Sequence, residues 1–136
     1  MEDFLDDIKE QISLNIGIDF DGVIHRNSKG FYDGTIYDEP LPGTKEALAS
    51  LSKKYNIIIY TCKARSDRPL IDGKTGPELI WEWLKKHDLD RYIIEITDRK
   101  PRVLFYIDDK VIRFFDWCQT LKKVEEFEED RGNEDE

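Results

Sequence analysis

Short apolar runs that alternate with amphipathic segments constrain the fold of this chain more than any other feature. The clearest run is Asn56–Tyr60, which is apolar almost throughout, as expected of a strand covered on both faces. Helical spacing of apolar residues precedes this run over 44–54 and follows it over 77–87. Further strands are predicted at 15–20, 92–96 and 103–107. This alternation predicts an α/β sandwich with a mainly parallel sheet.

The remaining segments have weaker patterns. Residues 3–14 have apolar positions at helical spacing, and residues 25–43 are rich in Gly, Asn, Asp and Pro, which predicts a loop or small hairpin. Residues 63–76 read as a second loop. The pattern over 111–117 fits either a short edge strand or a helix.

The acidic residues are concentrated at the end of the chain. The formal net charge of the 136 residues is −9, and Glu125 to Glu136 hold eight acids and one Arg. Such a segment has little to bury and should be solvated. We therefore predict one α/β domain over 1–124, which is long enough to bury a core, and an acidic, disordered tail over 125–136.

Composition excludes several classes of function. The acidic balance disfavours binding to long nucleic acid or to anionic membranes. No apolar run approaches the roughly 20 residues of a membrane helix, and the acidic segment 1–14 does not resemble a signal peptide. Cys62 and Cys118 favour two reduced thiols in a cytoplasmic protein over a lone disulfide. The sequence leaves the oligomeric state open.

Polar side chains directly follow the predicted buried strands. Asp19 and Asp21 follow the first strand, Thr61 the second, and Asp108 and Asp109 the fourth. Ligands of open α/β sheets bind at the carboxyl ends of the strands, so these residues should meet at one edge. Four carboxylates there repel one another unless a proton or a cation intervenes, and Mg²⁺ suits such oxygen ligands.

Simpler interpretations of these acids remain. Aspartates at strand ends often cap turns, as Asp-Gly does. An EF-hand is excluded, because Val23 stands where an oxygen ligand is needed and strands flank the loop. Two His and two Cys far apart also give poor support for a zinc site.

Three segments resemble motifs of the haloacid dehalogenase-like (HAD) hydrolase superfamily. Asn15 to Ile24 resembles the first motif, Ile57 to Thr61 the second, and Leu104 to Asp109 the acidic fourth. Lys100 is the best match to the lysine of the third motif, with Lys63 and Lys110 nearby. The resemblance covers roughly residues 15–115 in the family's order.

The resemblance implies roles for these residues. Asp19 would be the nucleophile, and Asp21 the general acid and base. Thr61 and Lys100 would stabilise the phosphoryl oxygens. Mg²⁺ would be held by Asp19, the backbone carbonyl of Asp21, and Asp108 or Asp109.

The implied protein is a Mg²⁺-dependent phosphomonoester hydrolase that forms an aspartyl-phosphate on a single Rossmann-like three-layer sandwich. The cap would be minimal, a short hairpin after the first strand, and the substrate a small phosphorylated molecule such as a nucleotide or sugar phosphate. Two alternatives stay open: a non-catalytic or regulatory binding module on this fold, and a phosphotransferase.

Overall fold

The computed structural model describes residues 14–134, with side chains as far as residue 130. The described elements in chain order are β1 (Asn15–Asp19), α1 (Thr44–Ser52), β2 (Asn56–Tyr60), α2 (Gly76–Lys86), β3 (Ile93–Thr97), β4 (Tyr106–Ile107) and α3 (Trp117–Glu134). The helix predicted over 3–14 lies outside the described residues, except for Leu14.

The four strands form one parallel sheet in the order β3-β2-β1-β4. Asp19 pairs with Tyr60, and Tyr60 pairs with Thr97 on the other side. Ile18 pairs with Ile107 of β4. The predicted α/β class with a parallel sheet is therefore confirmed, and the carboxyl ends of β1, β2 and β4 lie at one edge.

The core lies on β1 and β2, whose central residues are buried. Ile57, Ile58 and Ile59 of β2 are at most 3% exposed, as the apolar run predicts. Burying each such side chain contributes about 1.5–3 kcal/mol. Gly17 of β1 lies against the Tyr106 ring, which a Cβ on Gly17 would approach to 2.7 Å. The glycine thereby allows the edge strand β4 to pack beside β1.

Local sequence explains where helix α2 begins. The Thr75 hydroxyl accepts a hydrogen bond from the Glu78 N–H, and the Glu78 carboxylate accepts one from the Thr75 N–H. This reciprocal arrangement satisfies N–H groups that have no partner within the helix. Pro77 lies in the first turn, as predicted.

The two loops at the carboxyl edge follow β1 and β2. The ends of the 25–43 loop are joined by an antiparallel bridge between His25 and Pro40, so it closes like a hairpin without forming strands. The second loop begins with a 3₁₀ turn at Cys62–Ala64. Both thiols, Cys62 and Cys118, are free and exposed.

The chain after β3 differs most from the sequence predictions. Strand β4 has two residues, which pair with Gly17 and Ile18 at the edge of the sheet, instead of the five predicted over 103–107. The ambiguous segment 111–117 is irregular until helix α3 begins at Trp117. Asp116 precedes that helix, and its carboxylate accepts a hydrogen bond from the Gln119 N–H at 2.8 Å.

Helix α3 continues across the boundary predicted at residue 125. The sequence analysis expects a disordered tail there, whereas the backbone is helical to Glu134 and the side chains from Glu125 to Asp130 are exposed. Glu and Lys are good helix formers, so a solvated acidic segment can continue an existing helix. Within residues 14–134, no helix has both the length and the apolarity that crossing a membrane requires.

Candidate functional site

Three aspartates from two neighbouring strands converge at the carboxyl edge of the sheet. Asp19 ends β1, while Asp108 and Asp109 directly follow β4. One carboxylate oxygen from each lies within 4.8 Å of the others. Asp19 and Asp108 are half-buried and Asp109 is exposed. We call these three residues the acidic cluster; its oxygens are the donor type that hard divalent cations prefer.

The acidic cluster makes ionisation of Asp19 unfavourable. Burial and then the charge of Asp108 raise the pKa of Asp19 to about 7, with smaller contributions from Asp109 and Asp21. A hydrogen bond from the Phe20 N–H to Oδ1, at 2.9 Å, opposes this increase. A cation among the three carboxylates would favour the ionised form of Asp19.

Gly22 makes room for the acidic cluster. Its φ of +85° lies in the left-handed region, where a side chain is strained. A Cβ at this position would also lie 2.5 Å from Oδ2 of Asp109. Glycine at position 22 therefore allows both the left-handed turn and the close approach of the Asp109 carboxylate.

Asp21 is not one of the three clustered aspartates and contacts two basic side chains. Its Oδ1 lies 2.8 Å from Nζ of Lys63 and 2.9 Å from Nδ1 of His25. Burial alone would raise the pKa of Asp21, but the hydrogen bonds from His25 and Lys63 outweigh it, so the pKa is lowered. Asp21 is therefore a carboxylate in the free protein.

His25 is fully buried, and its hydrogen bonds indicate which ring tautomer it adopts. Its Nε2 accepts a hydrogen bond from the Asp38 N–H at 3.0 Å. Since that nitrogen acts as an acceptor, the ring proton lies on Nδ1, which donates to Asp21. The ring stacks on Phe20 and makes an edge contact with Trp83. No motif in the sequence assigns this role to His25.

Lys63 is the buried cation of the site, whereas the sequence predicts Lys100 as the lysine of the site. The Lys63 side chain is 1% exposed. The Lys63 N–H donates to Oγ1 of Thr61 at 3.2 Å, and the Lys63 carbonyl accepts from Arg68 at 2.6 Å. The available signal was its position two residues after a strand-end threonine.

Thr61 lies where the sequence predicts, at the end of β2. It is 4% exposed, and its N–H donates to the Thr97 carbonyl at 3.0 Å. Among residues 14–130, its hydroxyl accepts from the Lys63 N–H and donates to no group. The hydroxyl proton is thus available to an oxygen ligand.

Lys100 forms no ion pair with the acidic cluster. Its ammonium lies 4.9 Å from the centre of the Tyr106 ring, and Tyr106 pairs with Gly17, two residues before Asp19. Within the part of the chain whose side chains are described, Lys100 forms no ion pair. The geometry thus gives no support to the predicted contact between Lys100 and phosphoryl oxygens.

Two arginines of the second loop have different environments. Arg65 is exposed and pairs with Asp67. Arg68 donates to the carbonyls of Lys63 and Gly34, and its guanidinium lies 4.9 Å from the centre of the Phe31 ring. Arg68 therefore connects the loops that follow β1 and β2.

Comparisons with protein-family models, with curated proteins and with solved structures give no match. The site combines a cluster of carboxylates able to hold a cation, one separately anchored carboxylate, a buried ammonium and a strand-end hydroxyl. Such a set can bind an anion through a cation, attack it with a carboxylate and move a proton.

Proposed function

We propose that this chain is a Mg²⁺-dependent phosphomonoester hydrolase that acts through an aspartyl-phosphate. The observation that carries the proposal is the convergence of the acidic cluster beside a second, differently anchored carboxylate, Asp21. The finer fold proposed with it is a Rossmann-like three-layer sandwich of the haloacid dehalogenase-like type, with a minimal cap.

The acidic cluster fits a divalent cation. Asp19, Asp108 and Asp109 supply three oxygens within 4.8 Å of one another, and burial together with the charge of Asp108 raises the pKa of Asp19. When bound there, Mg²⁺ would offset the negative charge of the carboxylates and of a phosphoryl group. The exposure of Asp109 leaves the cluster open to a small phosphorylated substrate.

In the proposed first step, a carboxylate oxygen of Asp19 forms a bond to phosphorus. The bond from phosphorus to the leaving oxygen breaks with its electron pair on that oxygen, which takes a proton from Asp21. Because Asp21 is ionised in the free protein, that proton arrives with the substrate as its phosphate monoanion.

In the second step, the oxygen of a water molecule forms a bond to phosphorus and one of its protons passes to Asp21. The bond from Asp19 to phosphorus breaks, and its electron pair restores the carboxylate. Thr61 is suited to donate its free hydroxyl proton to a phosphoryl oxygen in both steps. Its burial at the end of β2, next to β1, supports this role.

The decisive experiment compares Asp19→Asn with Asp72→Asn. Phosphate release is measured from nucleotides, sugar phosphates and an aryl phosphate, with Mg²⁺ and with EDTA. We expect turnover only with Mg²⁺, a loss of at least about 1000-fold in Asp19→Asn, and wild-type rates in Asp72→Asn. Asp72 is an exposed loop residue with a φ of +51°. Asparagine also tolerates this φ angle.

A trapped intermediate identifies the nucleophile. Acid quenching during turnover should leave phosphate on the peptide that contains Asp19, in a hydroxylamine-sensitive linkage as expected of an acyl phosphate. Equal rates in wild type and Asp19→Asn would overturn the proposal, as would a folded wild type that releases no phosphate from any substrate. Transfer to added alcohols in place of water would indicate a phosphotransferase.

A further inference from the structure

Among residues 14–130, the ammonium of buried Lys63 forms a hydrogen bond with one oxygen of one carboxylate. Lys63 is 1% exposed, and its Nζ lies 2.8 Å from Oδ1 of Asp21. The centre of the Phe20 ring lies 6.0 Å from the same Nζ. Burying an ammonium is costly unless it is paired, so the fold has a strong requirement for Asp21 to keep this orientation.

His25 donates to that same oxygen. Its Nδ1 lies 2.9 Å from Oδ1 of Asp21, and Nε2 is occupied by the Asp38 N–H. Oδ1 therefore receives two hydrogen bonds, while Oδ2 receives none from residues 14–130. The two oxygens of one carboxylate are thus distinguished: Oδ1 is anchored and Oδ2 is left for a ligand.

The backbone of Lys63 is held from three directions. The Lys63 N–H donates a hydrogen bond to Oγ1 of Thr61, and the Lys63 carbonyl accepts one from the Arg68 guanidinium. Gly76 packs so closely against the same carbonyl that a Cβ at this position would overlap its oxygen. The ammonium is thus placed by the fold before any substrate binds. Preorganisation of this kind supports a functional group more than a flexible surface lysine would.

We propose that Lys63 is a positioning residue that, with His25, anchors Oδ1 of Asp21 so that Oδ2 exchanges the proton with the leaving oxygen. This inference rests on the proposed hydrolysis and assigns the site's lysine to the chain after β2, not to Lys100. Lys63 acts through Asp21 and does not itself contact the reacting atoms.

Leaving-group dependence tests the inference. A wrongly oriented proton donor lowers the rate of hydrolysis of an alkyl phosphate more than that of a nitrophenyl phosphate. The reason is that the alkyl leaving oxygen needs the proton and the nitrophenyl leaving oxygen does not. We expect Lys63→Met to lower kcat about 100-fold or more for the alkyl ester and less than about 10-fold for the nitrophenyl ester, with KM little changed. Lys63→Arg should recover part of the alkyl activity, and the exposed Lys53→Met should match wild type on both esters.

The tautomer of His25 gives a readout that needs no turnover. Nitrogen NMR of the wild type should show the His25 proton on Nδ1. A proton on Nε2 would overturn the inference even if Lys63→Met fails to fold.

Equal losses on both esters in a folded Lys63→Met, or no loss on either, would overturn the inference and leave the proposed function intact. If the wild type hydrolyses neither ester, both proposals fall.

Discussion

Asp19 and Asp21 are separated by a single residue, yet their surroundings shift the pKa values of the two carboxyls in opposite directions. Burial and the charge of Asp108 raise the pKa of Asp19 to about 7. Burial also acts on Asp21, but His25 and Lys63 lower its pKa overall. Adjacent carboxyls with divergent environments are typical of sites that divide nucleophilic and proton-transfer roles.

We expect Asp19→Asn to stabilise the cation-free protein at high pH. A folded-state pKa of about 7, against an ordinary 3.8, means that the contribution of Asp19 to stability is present below pH 3.8 and lost as pH rises through 7. Asparagine has no charge to repel Asp108. The gain over wild type should be about 1–2 kcal/mol at pH 8, since water screens part of the repulsion at this half-buried group.

Urea denaturation in EDTA at pH 3.5 and pH 8 measures this difference in the free energy of unfolding. Asp72→Asn, which removes an exposed carboxylate of the second loop, should show no such gain. A gain for Asp19→Asn that is equal at both pH values would contradict the explanation by ionisation.

Binding of a divalent cation to the acidic cluster should release a proton below pH 7. At pH 6 Asp19 is mostly protonated, so the cation must displace that proton; at pH 8 the carboxylate is already ionised. The apparent affinity should therefore fall by up to about tenfold per pH unit below 7. Calorimetry in two buffers of different ionisation enthalpy measures the proton directly, and identical heats in both at pH 6 would refute the prediction.

Gly22→Ala should disturb the acidic cluster more than an equally strained glycine substitution elsewhere. The φ angles of Gly22 and Gly73 are similar, +85° and +76°, but only at Gly22 would a Cβ meet Asp109. Both variants should lose about 1–2 kcal/mol of stability from backbone strain. Cation affinity, measured by titration with Mn²⁺, should fall only in Gly22→Ala, and equal affinities would contradict the role of Gly22.

Trp83→Phe should destabilise the loop that supports His25. The indole N–H donates to the Asp38 carbonyl at 2.9 Å, while Asp38 also donates its N–H to His25. Losing this hydrogen bond in a buried setting should cost about 1–3 kcal/mol in the free energy of unfolding. Trp81→Phe is the matched control, because the indole of Trp81 makes no hydrogen bond within residues 14–130. Equal losses would attribute the effect to packing alone.

The position of the acidic cluster could be predicted from sequence because it depends on local pattern and one topological rule. Asn56–Tyr60 is a strand with the predicted bounds; Asp19 ends β1, and Thr61 and Asp108 directly follow β2 and β4. Side chains that follow parallel strands meet at one edge whatever the rest of the chain does.

The partners of Asp21 could not be predicted from local pattern and strand topology. Its ion pair with Lys63 joins residues 42 positions apart, and the position of Lys63 two residues after Thr61 does not by itself show that its side chain is buried.

The sequence by itself thus determined the parallel α/β class and the edge at which Asp19, Asp108 and Asp109 meet, because hydrophobic periodicity specifies strands and strand direction specifies the edge. Only the tertiary structure decided that Lys63 and His25 bind Asp21, that Lys100 lies over Tyr106, and that α3 continues past residue 125 into the acidic segment. Those outcomes depend on which side chains are buried together, and burial is a property of the packed chain.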